Sequence, residues 1–373
     1  MTDRDPDFYW VFTGAYTRRE PHVEGKSRGI HVLRFDRASG ALNPVADIPG
    51  LDNPSYLTLH PQGKLLYAVN EISDYQGKVA GAVSAYRIDP AAGVFEPLNQ
   101  QSTQGGSPCY ITVDKAGRNV LVSNYGSGSI AVLPIRPDGS LGNVSDLVQH
   151  HGSSVHTPRQ DAPHPHSINL DAENRYVYVP DLGIDKVMIY RYDGENGRLL
   201  PNNEQPWART KSGAGPRHLA FHPRGDYVYV INELDSSVTA YRNDEEKGTL
   251  TELQTLSTLP AVFQGKSTCA DIHVHPSGRF VYGSNRGHDS IAVFAVDEKS
   301  GHLSLREHVA TQGSHPRGFA VDPTGRYLLA ANQNSDSIVV FTIDAKSGAV
   351  RPAGISVQTP TPVCIKLLAA HAA

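Results

Sequence analysis

The 373 residues carry 34 Lys and Arg against 38 Asp and Glu, a formal net charge of −4 that argues against a nucleic-acid-binding surface. No apolar run approaches the ~18 residues of a membrane-spanning helix. No charged-then-apolar leader opens the chain either, so a cytoplasmic protein is expected.

The first element, Phe8 to Ala15, reads as a strand ending in Thr13-Gly14-Ala15-Tyr16. A polar hairpin follows at Asp36-Gly40-Leu42, and its pattern recurs at Asp89-Gly93-Phe95, Arg136-Gly139-Leu141, Asp193-Gly197-Leu199, Asp244-Gly248-Leu250, Asp297-Gly301-Leu303 and Asp344-Gly348-Val350. A glycine inside a short polar loop supplies the positive φ that tight hairpins need. Between these hairpins lies a second set of turns: His60-Pro61-Gln62-Gly63, Asp114-Lys115-Ala116-Gly117, Asp171-Ala172-Glu173-Asn174, His222-Pro223-Arg224-Gly225, His275-Pro276-Ser277-Gly278 and Asp322-Pro323-Thr324-Gly325. A short apolar strand precedes each turn and another follows, then a third strand, the glycine hairpin and a looser fourth. One unit of four strands, copied seven times at about fifty residues, predicts an all-β, seven-bladed β-propeller with four antiparallel strands per blade. No apolar pattern of helical period runs for three turns, so helix should be scarce.

The seventh copy of the second turn is missing. The stretch 362–368 reads as a first strand with no second strand after it, while Phe8 to Ala15 is a second strand with no first. Pairing 362–368 with 8–14 closes the ring and removes an open edge. One domain over residues 1–373 is expected, with frayed ends at 1–7 and 369–373. Cys109, Cys269 and Cys364 open first strands and read as reduced core thiols, and the sequon at Asn143 is idle in a chain that is not secreted.

In this architecture, loops entering the first strand and loops joining the second to the third open on one face. The second-to-third column reads Gly14, Glu71, Tyr125, Asp181, Glu233, Arg286 and Gln333; the first-strand column, one residue after a recurrent proline, reads Ser55, Cys109, His166, Arg217, Arg317 and Val363. A repeat that served only the scaffold would fill these columns with similar residues, so their divergence marks the functional face. Plainer readings stand beside this one. Arg217 and Glu233 also read as an ion pair tying two loops, and Glu71 and Asp181 as turn caps. His60, His222 and His275 belong to turns at the opposite end. Asp271, His273 and His218 read as supporting partners or as core polar groups. The long loop before the fourth blade carries His150, His151, His156, His164 and His166 with Arg159-Gln160-Asp161. It reads as a metal-ligand set or as a polar lid over the channel, and its spacings match no helix-borne or finger-type metal site.

The runs His164-Pro165-His166-Ser167, Gly215-Pro216-Arg217-His218-Leu219, Tyr229-Val230-Ile231-Asn232-Glu233-Leu234, Ala270-Asp271-Ile272-His273, Ser284-Asn285-Arg286-Gly287-His288-Asp289-Ser290-Ile291 and Ala330-Ala331-Asn332-Gln333 resemble the bacterial propeller-type 6-phosphogluconolactonases along essentially the whole chain. That family includes the fungal 3-carboxy-cis,cis-muconate lactonizing enzyme, whose proposed site of one His, two Arg and one Glu corresponds here to His166, Arg217, Arg286 and Glu233. His166 is preferred over His164 from its place in the first-strand column.

The resemblance implies hydrolysis of 6-phospho-D-glucono-1,5-lactone in the pentose phosphate pathway. A guanidinium would stabilise charge on the former carbonyl oxygen. Glu233 and His166 would divide the proton transfers, and Arg286 or Arg317 would anchor a phosphate. His164, Arg317, Glu71, Tyr125, Asp181 and Gln333 are the expected substrate-binding residues. No phosphate-cradling glycine loop or nicotinamide fingerprint occurs, so neither cofactor nor metal is expected. Lactonization of the muconate type and hydrolysis of an unphosphorylated sugar lactone use the same groups and stay open. A non-catalytic interaction propeller fits less well, because the face displays His, Arg and Glu rather than aromatic and apolar residues.

Overall fold

The computed structural model describes residues 7–370, and nearly every element in them is a strand. Among these residues the one helical element is a 3-10 turn at Gln333–Ser335. The strands form seven antiparallel sheets arranged as the blades of a ring, plus a two-stranded ribbon, Arg19–Glu20 with Val23–Glu24. Blade one takes Pro362–Ala370 from the C-terminal end and Phe8–Ala15, Gly29–Asp36 and Leu42–Pro49 from the N-terminal end. Blades two to seven span 57–102, 108–149, 169–209, 216–257, 268–310 and 316–358.

The hairpin glycines behave as their spacing requires. Gly40, Gly93, Gly139, Gly197, Gly248, Gly301 and Gly348 all have φ between 60° and 90°. The acidic residue that opens most of these hairpins caps the turn: Asp297 Oδ1 accepts from the Lys299 and Ser300 amides, and the Gly301 amide returns to Asp297 O at 2.8 Å. Second strands such as Asn119–Asn124, Tyr227–Asn232 and Tyr327–Asn332 are buried at every position, because neighbouring blades cover both of their faces. The fourth strands alternate, since one face meets solvent. Apolar clusters bridge each pair of neighbours and close the circle. One joins Tyr9, Val11 and Phe35 of blade one to Tyr327, Leu329 and Val340 of blade seven.

Closure runs through backbone pairing, with Trp10 opposite Leu368 and Gly14 opposite Cys364. The strand runs further than the expected frayed end: Ala369 and Ala370 pair with Tyr9 and Phe8, and the Asp7 amide donates to Ala370 O at 3.1 Å. The edge of Phe8–Ala15 offers two more pairing positions, and filling them satisfies backbone groups that would otherwise be open. The rest of the expected frayed ends, 1–6 and 371–373, lies outside the described residues. At the end opposite the loops of interest, His60, His222 and His275 place Nε2 2.9–3.1 Å from the carbonyls of Gly117, Gly278 and Gly325, stapling each turn to the next blade.

Blade four is irregular. Its first strand is only Asn169–Leu170, preceded by an isolated bridge from Pro165 to Asp181, and its outer edge is divided between Arg198–Pro201 and Trp207–Arg209. The loop of residues 150–166 enters the ring here.

Candidate active site

Two local devices bring side chains to one mouth of the ring. The first is the asparagine that ends a second strand. Nδ2 of Asn124, Asn285 and Asn332 donates to the carbonyls of Thr103, Thr258 and Thr311, which tethers the strand end. Asn70 donates likewise to Asp52 O, whereas Asn232 donates to the Ser237 and Thr239 hydroxyls; Glu71, Tyr125, Glu233, Arg286 and Gln333 stand directly after these five asparagines. The second device is a β-bulge just after the recurrent proline. Register shifts between Pro108 and Tyr110, Pro216 and His218, and Pro316 and Gly318 leave Cys109, Arg217 and Arg317 unpaired, and bulges re-aim such side chains.

Glu233 is the centre of the first cluster. Arg159 Nη2 donates to Oε1 at 2.7 Å, Arg217 Nε donates to Oε2 at 3.0 Å, and Arg286 Nη2 stands 2.9 Å from Oε2. Burial alone would raise this carboxyl, but the Arg286, Arg217 and Arg159 guanidiniums outweigh it and hold Glu233 well below the usual carboxylate range. A carboxylate with both oxygens engaged by three cations is a poor proton acceptor. The expected share of Glu233 in proton transfer therefore conflicts with its surroundings, which suit an electrostatic anchor. Arg286 is buried, donates Nη2 to Cys269 O at 2.7 Å and has an unpartnered, buried Nε; burial pulls it down to about 10, so it stays charged at neutral pH.

Behind Arg217 runs a polar relay. Arg217 Nη1 stands 3.1 Å from His218 Nε2, and His218 Nδ1 stands 2.8 Å from Asp271 Oδ1. A guanidinium can only donate, so His218 Nε2 is the acceptor and Nδ1 carries the proton. Burial and the Arg217 charge lower His218 to about 4, which keeps that tautomer neutral. His273 Nε2 lies 3.2 Å from the other oxygen of Asp271. His218, Asp271 and His273 thus orient Arg217 from below.

His166 is buried, with Nδ1 3.6 Å from Cys109 Sγ and its ring edge-on to Tyr125 and His218. Among the described residues its Nε2 meets no protein partner. Burial, then Arg217 and His218, lower it well below the ordinary histidine value, so it is a neutral imidazole. The thiol of Cys109 is pushed far up by burial and stays protonated, which disqualifies it as a nucleophile.

A second cluster faces the first. Tyr16 Oη donates to both oxygens of Glu71 at 2.9 Å, Ser55 Oγ makes a short hydrogen bond to Oε2, and Arg317 Nη2 donates to Tyr16 Oη at 3.0 Å. The two clusters enclose a cavity of about 820 Å³ lined by Glu71, Tyr125, Arg159, His166, Glu233, Arg286 and Arg317, with Arg18, Glu20, His22 and Asp74 also in its wall. Beneath it lies a chamber of about 10 Å³ walled by Ser55, Tyr56, Glu71, Cys109, His166, Arg217, His218, Arg317 and Val363. Every residue of the first-strand column reaches that chamber.

Of the residues expected at the site, His166, Arg217, Glu233, Arg286, Glu71, Tyr125 and Arg317 converge. His164, Asp181 and Gln333 line neither space. His164 stacks on Tyr125 with ring centres 4.5 Å apart and donates its backbone amide to Asp181 Oδ1 at 2.7 Å. Asp181 is fully buried and meets His150 Nδ1 at 2.6 Å, so it anchors the histidine-rich loop instead of facing a ligand. Gln333 is buried and donates Nε2 to Asn334 Oδ1 at 2.9 Å. Among the described residues, no group of three or more His, Cys, Asp or Glu is placed to hold a metal ion. None of their helices is long and apolar enough to cross a membrane.

The main residue missed from the sequence is Arg159, because it lies outside both repeat columns. Its loop is latched by Asp185, whose carboxylate accepts from Gln160 Nε2 at 2.7 Å, Ser154 Oγ at 2.5 Å and the amides of Gly213 and Gly215 at 2.7 and 2.8 Å. The polar-lid reading of this loop fits that packing. The available signal was an arginine in the one inserted loop that opens on the functional face. Tyr16 was likewise passed over as a strand end.

A family model described as "Lactonase, 7-bladed beta-propeller" matches residues 10–367. The chain is 39% identical over 360 residues to the 6-phosphogluconolactonase of Bacillus subtilis, covering 96% of this chain and 98% of that one. It is 35% identical over 314 residues to the 6-phosphogluconolactonase of Formosa agariphila, covering 84% and 86%. A solved periplasmic gluconolactonase of Pseudomonas aeruginosa superposes with a TM-score of 0.89 at 38% identity, over 97% of this chain and 99% of that chain.

Proposed function

The chain belongs to the lactonase family of seven-bladed β-propellers, and we propose from that premise that this lactone hydrolase opens 6-phospho-D-glucono-1,5-lactone to 6-phosphogluconate, within the pentose phosphate pathway. The observation that carries the phosphorylated substrate is the charge of the site. Four guanidiniums, Arg159, Arg217, Arg286 and Arg317, surround the two inner carboxylates Glu71 and Glu233, while Arg18, Glu20 and Asp74 also line the cavity, so the inner part of the site is the positive one. A phosphate monoester brings about −1.5 to −2 charge at neutral pH. The chain as a whole is acidic, so the anion is met by a local cluster rather than by a long-range field.

In this reading the ester carbonyl sits where Arg217 approaches from the chamber, and its guanidinium stabilises the oxygen as it gains charge. Neutral His166 takes a proton from the attacking water through Nε2. Glu233 holds Arg159, Arg217 and Arg286 in place. Arg286 and Arg159, at the cavity wall, receive the substrate's phosphate through charge-assisted hydrogen bonds. A cytoplasmic site of action is supported by three buried cysteines that are all free thiols.

The deciding experiment is a coupled assay on freshly prepared 6-phosphoglucono-δ-lactone, with glucono-δ-lactone and muconolactone as controls. Turnover that strongly favours the phosphorylated lactone is expected. Preference for gluconolactone would assign the unphosphorylated substrate, and activity on muconolactone alone would assign the lactonizing reaction.

A further inference from the structure

Opening a lactone requires two proton movements, one away from water and one onto the departing ring oxygen. His166 accounts for the first, and Glu233 is too firmly held by guanidiniums to perform the second. The junction of the two spaces narrows the choice. Only Glu71, Cys109, His166 and Arg317 line both the open cavity and the chamber below it, whereas Glu233 and Arg286 line the cavity and Arg217 the chamber. The chamber is about the size that holds one water molecule and offers it polar walls. A carbonyl carbon at the neck would therefore meet water from below and have its ring oxygen beside the neck residues. Arg317 keeps its proton at any working pH, and Cys109 directs its S–H towards the carbonyls of Pro165 and His166.

We propose that Glu71 is the general acid of the reaction, delivering a proton to the ring oxygen as the carbon–oxygen bond breaks. This rests on the lactone-hydrolase reading above. The partners of Glu71 differ in kind from those of Glu233. They are the hydroxyls of Tyr16 and Ser55, which are neutral and can rotate from donor to acceptor, while a guanidinium can do neither. The charged and titratable groups that face Glu71 are Arg317, Arg217, Tyr16, Cys109 and His166, with Glu20 beyond Asn53 Nδ2. Burial outweighs the two arginines and raises the Glu71 carboxyl, the reverse of what happens at Glu233. Two carboxyls pushed in opposite directions in one site is the pattern that separates an acid from an electrostatic anchor.

His166 Nε2 takes one proton of the water, the water oxygen bonds to the carbonyl carbon, and the carbonyl π pair moves onto oxygen. That pair then returns, the bond to the ring oxygen breaks with its electrons on that oxygen, and the oxygen takes the proton of the Glu71 carboxyl. The proton held by His166 passes to the Glu71 carboxylate across the neck and restores both groups. One water is consumed, and the product is a carboxylic acid that ionises in solution.

The test is the pH profile of kcat and KM on the phosphorylated lactone between pH 5 and 8, for wild type, Glu71→Gln, Glu71→Asp and Ser55→Ala, with melting curves for each. Glu71→Gln should lower kcat about 10²–10³-fold with KM within about threefold, and should lose the alkaline limb of the profile that Glu71→Asp retains. Ser55→Ala removes a donor that favours the ionised carboxylate, so the alkaline limb should move to higher pH. If Glu71→Gln fails to fold, that displacement in Ser55→Ala decides alone. A kcat within twofold of wild type in Glu71→Gln, an alkaline limb that survives in it, or an unmoved limb in Ser55→Ala overturns the assignment. Absence of lactone hydrolysis in the wild type would instead overturn the functional reading, before any variant is compared.

Discussion

Arg217 and Glu233 lie sixteen residues apart, and Nε of the first donates to Oε2 of the second at 3.0 Å. The separation is one excursion down the first strand of blade five and back up the second, so the bulge at Arg217 and the tethered end at Asn232 meet at the same mouth. The Glu233 amide also donates to Gly215 O at 2.7 Å, just ahead of that bulge. Backbone and side chain thus fix the same pair.

Replacing Glu233 with Gln removes the charge that three guanidiniums share while keeping its shape. The expected result is a fall in kcat of about 10²-fold or more, with the acidic limb of the pH profile kept but moved to lower pH, because the Glu233 charge raises His166. A limb that disappears would restore Glu233 as the proton acceptor. Arg217→Lys keeps the charge and loses the planar fork, and should cost on the order of 10²-fold in kcat. Steady-state kinetics near wild type in both variants would place the chemistry elsewhere.

Arg286→Ala and Arg159→Ala probe the anion. Charge-assisted hydrogen bonds are worth about 1.5–3 kcal/mol, so KM for the phosphorylated lactone should rise about 10- to 100-fold in each. The unphosphorylated lactone should change little. Equal losses on both substrates would move Arg286 from phosphate anchor to catalyst.

Deleting residues 362–373 removes the strand that pairs with Phe8–Ala15. The exposed edge and the opened cluster around Cys364 and Ile365 should give aggregation or a large drop in melting temperature. A soluble truncation that melts cooperatively at the wild-type temperature would contradict closure by this strand.

Acid should weaken the fold through histidines that folding desolvates. Burial holds His218 at about 4, and desolvation holds half-buried His315 at about 3, so both are neutral when folded. An unfolded histidine titrates near ~6.5, so between about pH 6.5 and 4 the unfolded state binds more protons. Stability should therefore fall as pH drops through that window and be insensitive to these groups above it. His218→Asn keeps a hydrogen-bond acceptor and donor without the titration and should flatten part of the slope. A melting temperature independent of pH from 6.5 to 4.5 would refute this.

Chelation addresses the histidine-rich loop. Because the proposed stabilising charge comes from the Arg217 guanidinium, turnover should survive exhaustive EDTA treatment. Loss of activity restored by one divalent ion would make the loop a ligand set.

The repeat, the blade number, the closing strand and most of the residues that converge at the candidate site were determined by the sequence, because hairpin glycines and proline-led strands must recur at a fixed spacing to build a ring. Within such a ring, position in the repeat fixes which mouth a residue faces, and that is why Arg217, Glu233, Arg286 and Glu71 were found by their columns. The tertiary structure decided what no column encodes. It placed Arg159, from an inserted loop with no repeat partner, 2.7 Å from Glu233, and it turned Asp181 away from the cavity onto His150. It also separated two glutamates that occupy equivalent positions, one ringed by guanidiniums and the other by hydroxyls. Proton affinity depends on the charges and burial around a carboxyl, and those come from five different blades and a loop that only the closed ring brings together.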